Sequence, residues 1–218
     1  MDRISRLRTK RGFVLFTIYV RYLLGGAFVY SGFGKATGGR FIPAGSRQIP
    51  EVGMSIDVFF ETLYRTGIWW QFLGWAQVVT GFLLLTQRWS TLGAVAFLPI
   101  SVNIFVITVS MDFHGTPLIT GLMVLANVWL LCWDYPKLSI LFLANRDASF
   151  AVRLASDQLN TPRYWETMGI VLFIASISFG NRESPLLWFA LCLLVGVIGL
   201  AAHFVYTRHA RNRGVLNA

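Results

Sequence analysis

Arg21 breaks an apolar run at residues 13–33, and it is the first side chain here able to do chemistry. At helical spacing it shares a stripe with Gly25, Phe28, Gly32 and Lys35, which places two cations on one side of a helix about 20 Å apart at ~1.5 Å per residue. A charge inside a bilayer costs a few kcal/mol on insertion scales, so Arg21 must face protein or a water-filled cavity. Two readings follow: a guanidinium that holds an anion or a quinone oxygen, or a buried arginine tied to carbonyls and amides of neighbouring helices. Gly25, Ala27, Ser31 and Gly32 let another helix approach this side closely.

Other apolar runs carry polar points as well. Gln71, Gln77 and Thr80 lie in the second run, Asn103 follows Pro99 by four residues in the third, and Thr120, Asn127 and Asp134 repeat every seventh residue in the fourth. Amides in lipid must hydrogen-bond across helices, at about 1 kcal/mol each. With Arg21 they define a polar seam whose candidate ligand-binding residues are Arg21, Lys35, Gln77, Asn103 and Asn127. An amide network that only joins helices has the same pattern, and this is the favoured reading for Asn103 and Asn127. Asp112 and His114 are a weak metal pair, because two ligands two residues apart are also what a turn with Gly115 and Pro117 contains. His203 and His209 read as packing and headgroup contacts, and no facing histidine pair suggests a haem. Cys132 and Cys192 stand alone, without the CxxC spacing of a thiol redox centre. No nucleotide-binding, Walker, HExxH or GxSxG motif is present.

These residues need elements to position them, and the composition names the kind. Of 218 residues 55% are hydrophobic and only 13% charged, about half the charged share of a soluble domain. A soluble enzyme, a disordered tail, a coiled coil and a collagenous fibre are excluded, which leaves a multi-span membrane protein. Hydrocarbon about 30 Å thick needs about 20 helical residues, and six runs qualify: 13–33, 68–86, 91–110, 117–133, 165–180 and 185–206. The first is too long, and too interrupted by Arg21, for a cleaved secretory signal. Short connectors make spans two to four antiparallel neighbours. The outer loop 34–67 contains an amphipathic helix capped by Ser55, and the connector 134–164 a second interfacial stretch.

The expected organisation is therefore all-α. A basic cytoplasmic tail (1–12) precedes a four-span core (13–133); the connector leads to a transmembrane hairpin (165–206) and a second basic tail (207–218). With both termini inside, thirteen Lys and Arg fall on the cytoplasmic side and five outside. The net charge of +9 reads as contact with anionic lipid headgroups and not nucleic acid, because the basic residues flank the first and last runs.

The segment RYLLGGAFVYSGFGKATGG, beginning at Arg21, resembles the opening span of the DoxX-like membrane proteins, and LGWAQVVTGFLLLTQRWSTLGA resembles their second span and inner turn, with Gly81 and Arg88 in place. The resemblance covers about residues 15–140. It implies a four-helix bundle in the bacterial inner membrane, in a family associated with thiosulfate:quinone oxidation or with redox partners in stress complexes. Arg21, Ser31, Gly32 and Lys35 match the pattern. Gln77 departs from it: that place commonly holds a glutamate, and an amide cannot exchange a proton as a carboxylate can. The expected function is a membrane subunit that binds a quinone, lipid or small anion and anchors a redox or envelope assembly with other membrane or periplasmic subunits. Alternatives are a quinone-reducing oxidoreductase subunit and a small-solute or lipid transporter. Quinone is the one cofactor implied.

Overall fold

The computed structural model describes Arg8 and residues 10–41, 55–142, 163–179 and 185–212. Both terminal tails beyond these, Arg47, most of the connector 134–164, and the hairpin turn at 181–184 lie outside the described residues. Within them the chain is all-helical: α1 (Arg11–Ala36), α2 (Ile56–Arg65), α3 (Ile68–Leu85), α4 (Ser90–Ser110), α5 (Thr116–Trp133), α6 (Tyr135–Phe142), α7 (Arg163–Phe179) and α8 (Pro185–Asn212). Among the described residues five helices are long and apolar enough to cross a membrane: α1, α3, α4, α5, and Leu186–Tyr206 of α8. α7 follows the same apolar pattern over 17 residues.

Turn chemistry sets the alternation. Gly67 and Gly115, at φ 61° and 73°, precede α3 and α5 in backbone that residues with a Cβ adopt only under strain. Pro117 lies in the first turn of α5, where its missing N–H costs nothing. Ser55 caps α2 by accepting from the Val58 N–H at 3.3 Å. The long helices run alternately up and down, so the start of α1, the α3–α4 turn and the end of α5 share one end of the bundle, termed the Asp134 pole. The end of α1, α2 and the α4–α5 turn share the other, the Lys35 pole.

α1 is the hub, and its closest partner is α3. Two glycine pairs, each seven residues apart on its own helix, bring the antiparallel backbones together. A Cβ at Gly25 would meet the Gly81 carbonyl at 2.8 Å, and one at Gly32 would meet the Gly74 carbonyl at the same distance. Without an apolar driving force between helices in lipid, contact this close supplies the packing attraction.

On one side of α1, Leu24 and Phe28 pack against Leu84, Phe97 and Leu130, with the Phe28 and Phe97 rings stacked at 3.8 Å. On the other, Tyr22 and Leu85 pack against Trp165 and Leu172 of α7 and Val195 of α8. Trp70, Trp165 and Trp188, near span ends, are each under 5% exposed, whereas Trp69 and Trp89 are more than half exposed. The three buried indoles have packing partners inside the bundle, whereas Trp69 and Trp89 are placed to meet an interface.

Candidate functional site

At the Asp134 pole a guanidinium reaches back along its own helix. Helical side chains lean toward the N-terminus, so Arg21 extends from mid-helix to the α3–α4 turn. Its Nη2 donates to Asp134 Oδ2 at 2.8 Å and its Nη1 to Gln87 Oε1 at 3.1 Å. Asp134, at the C-terminal cap of α5 and 1% exposed, also accepts from Thr91 Oγ1 at 3.1 Å. Gln87 holds a left-handed backbone, φ 57°, and Arg21 Nε is buried without a hydrogen-bond partner. Arg8 donates from Nη2 to the Trp133 carbonyl and lies over that residue's ring. Lys137 Nζ is 3.6 Å from Asp134 Oδ1. Burial lowers the Lys137 pKa from its ordinary value; the Asp134 carboxylate opposes this, while the Arg21 and Arg8 charges add to it. The cluster joins α1, the α3–α4 turn and α5 through one carboxylate.

The Lys35 pole has a different chemistry. Lys35, in the last turn of α1, is 8% exposed. Its ammonium donates to Gln77 Oε1 at 2.9 Å and to the Ser31 carbonyl at 3.1 Å. The Phe41 and Trp70 rings lie 5.5 and 5.7 Å from it. The Trp70 indole is held by donating to the Gly39 carbonyl at 2.8 Å, and Phe60 of α2 stacks on Phe41 at 4.4 Å. Among the described residues no carboxylate pairs with Lys35. Among the described residues two of the three ammonium donors are spent, and the third N–H is open to an oxygen acceptor. This donor, with an amide and aromatic faces beside it, suits a quinone carbonyl, a lipid phosphate or a small anion, since each offers an oxygen acceptor and the planar ring can lie against Phe41 or Trp70.

The five residues singled out from the sequence do not form one seam. Lys35 and Gln77 meet. Arg21, fourteen residues and roughly 21 Å along the helix from Lys35, joins Asp134 and Gln87 instead. Asn127, fully buried, donates to the Ala94 carbonyl at 3.2 Å and leaves its Oδ1 unpartnered. Asn103 is exposed on the outer face of α4, without a hydrogen-bond partner among the described residues. Asp112 and His114 are exposed in the α4–α5 turn, where Asp112 has φ 44°; no group of three potential ligands gathers among the described residues.

The roles of Gln87, Phe41 and Trp70 escaped the sequence reading. Gln87 looked like an ordinary turn residue, and the aromatic residues have no helical register with Lys35. Between α1 and α8 lies a further apolar cavity of about 520 Å³, walled by Phe16, Tyr19, Leu23, Trp188, Phe189 and Leu193. Its two tyrosines spend their hydroxyls on backbone, Tyr19 on the Gly196 carbonyl at 2.6 Å and Tyr22 on the Trp165 carbonyl. Comparison with known protein families, curated proteins and solved structures finds no match to this chain.

Proposed function

We propose that the chain is a DoxX-like, six-span subunit of the bacterial inner membrane, both ends cytoplasmic, that binds the oxygen-bearing head of a quinone, lipid or small anion at Lys35 and Gln77. It anchors a redox or envelope assembly through that site and its flanking surfaces. The observation that carries this is a buried ammonium answered by an amide and a carbonyl, with no carboxylate opposite it among the described residues. A cation that serves structure alone is better placed opposite an acid, as Arg21 is opposite Asp134. The orientation rests on the excess of Lys and Arg on the Asp134 side. The DoxX reading rests on the Arg21, Ser31, Gly32 and Lys35 pattern, together with the glycine contacts that Gly32 and Gly81 make across α1 and α3. Gln77 stands where the family commonly has a glutamate, so the site holds a ligand without exchanging protons through that side chain.

The test is native mass spectrometry of protein extracted from its own membrane in mild detergent. Wild type retains a quinone, phospholipid or anion. Lys35→Met, with unchanged helix content, retains at least tenfold less, in keeping with loss of a charge-assisted hydrogen bond of ~1.5–3 kcal/mol. Equal ligand in the two proteins rejects the site.

A further inference from the structure

The apolar cavity between α1 and α8 has the depth of one leaflet. On α8 its wall runs from Trp188 to Leu200, ~18 Å of helix, against ~15 Å for half of a hydrocarbon core. It lies toward the Asp134 pole, because its α1 residues fall between Phe16 and Leu23 in a helix that continues to Ala36. Trp188 closes the other end: it is buried, stacks on Tyr30 at 4.6 Å, and its indole donates to Ser176 Oγ at 3.1 Å. Tyr22 and Leu172, both buried, form the floor, and Leu23 and Leu193, both exposed, stand on opposite walls. The tyrosine hydroxyls are already held by backbone carbonyls, so the wall offers water no partner and suits a hydrocarbon chain. It is too narrow for another helix. A cylinder ~10 Å across and ~18 Å long encloses ~1,400 Å³, against the cavity's 520 Å³.

Positive charge stands at the open end. Arg11 begins α1 five residues before Phe16, and Arg208 follows Leu200 on α8 by eight; both are exposed. Arg11 is near enough to His203, one turn beyond Leu200, to act on it electrostatically. The described carboxylates of this pole are Asp134, held by Arg21, and Glu166, and neither pairs with Arg11 or Arg208.

We infer that the cavity is a site for an anionic phospholipid from the leaflet at the Asp134 pole, with one acyl chain between α1 and α8 and the phosphate at Arg11. The wall selects the chain, and the mouth selects the charge. A free phosphate would leave the cavity unfilled, and an unfilled apolar void forfeits the dispersion contacts of its lining. Lys35 and Gln77 lie at the opposite end of α1, so this site is separate from theirs and does not depend on it.

The experiment places full-length protein in liposomes of equal phosphatidylglycerol and phosphatidylcholine, extracts it in mild detergent and counts retained lipid by native mass spectrometry. Wild type is expected to hold one phosphatidylglycerol per chain at this site, with a preference over phosphatidylcholine of about fivefold, the effect of one cation near a headgroup. Leu193→Trp and Leu23→Trp, which fill the cavity from opposite walls, retain at least tenfold less, whereas Leu194→Trp, exposed on α8 but outside the wall, retains it. Arg11→Gln keeps a lipid but loses the preference. Lys35→Met keeps this phosphatidylglycerol. The inference is overturned by equal retention in Leu193→Trp, Leu23→Trp and Leu194→Trp, by equal retention of the two lipids in wild type, or by loss of the phosphatidylglycerol in Lys35→Met, which would assign it to the Lys35 site.

Discussion

Two buried cations on one stripe of α1 have opposite electrostatic settings. Arg21 is matched by a carboxylate nearly without exposure, so removing that carboxylate leaves a charge that neither water nor protein balances. Asp134→Asn is expected to cost ~3–5 kcal/mol in detergent thermal unfolding, while the double change Arg21→Met with Asp134→Leu recovers most of the loss. An unchanged unfolding midpoint in Asp134→Asn refutes the lock. Lys137 gives the same cluster a pH dependence. Its native pKa is lowered, chiefly by burial, so the unfolded chain binds its proton more tightly and the penalty is fullest at pH below the native value. Stability therefore rises with pH through the window between that lowered value and the ordinary 10.5. Lys137→Met removes this rise, which unfolding midpoints measured across that window detect.

Among the helices, the α1–α3 contact sets the geometry of everything else, because it fixes the register that puts Lys35 beside Gln77. A Cβ on Gly74 would run into the backbone of Lys35 and Ala36 at the end of α1, and backbone cannot rotate aside as a side chain does. Gly74→Ala is expected to destabilise by ~1–3 kcal/mol and to lower ligand retention at Lys35. Gly12 meets nothing within 4 Å, so Gly12→Ala, in the first turn of the same helix, gains up to ~1 kcal/mol of helix propensity. Thermal unfolding of the pair separates close packing from propensity; equal effects would mean that the glycines do not carry the contact.

At the scale of the whole molecule, the hairpin α7–α8 is wedged onto the core by Trp165. This indole, 2% exposed, touches Tyr22 on α1 and His203 and Gly199 on α8, while the Tyr22 hydroxyl donates to its backbone carbonyl. Trp165→Ala removes a large buried ring and is expected to cost ~3–5 kcal/mol. Because the hairpin loosens first, maleimide should label Cys192, half-buried in the α1–α8 cavity, several-fold faster, with Cys132 replaced to remove background. Unchanged labelling would mean that α7 and α8 are held to the core by other contacts.

The sequence by itself determined where the helices are. Apolar runs long enough to bury twenty backbone hydrogen-bonding groups, ended by Gly67, the residues 87–90 and Gly115, allow few other boundaries, and α3 and α5 lie within a residue or two of the expected limits. It also indicated that Thr120, Asn127 and Asp134 share a buried face, since a seven-residue spacing needs only helix geometry. Tertiary structure decided which polar groups meet. Arg21 and Lys35 share a stripe, yet the lean and length of one side chain carry it to Asp134, and antiparallel glycine register brings the other to Gln77. Asn103 and Asn127 look equivalent along the chain, but one faces outward and the other inward. Spacing within a helix fixes relative direction on that helix alone, and only the packing of neighbours assigns those directions to core, pole or open surface.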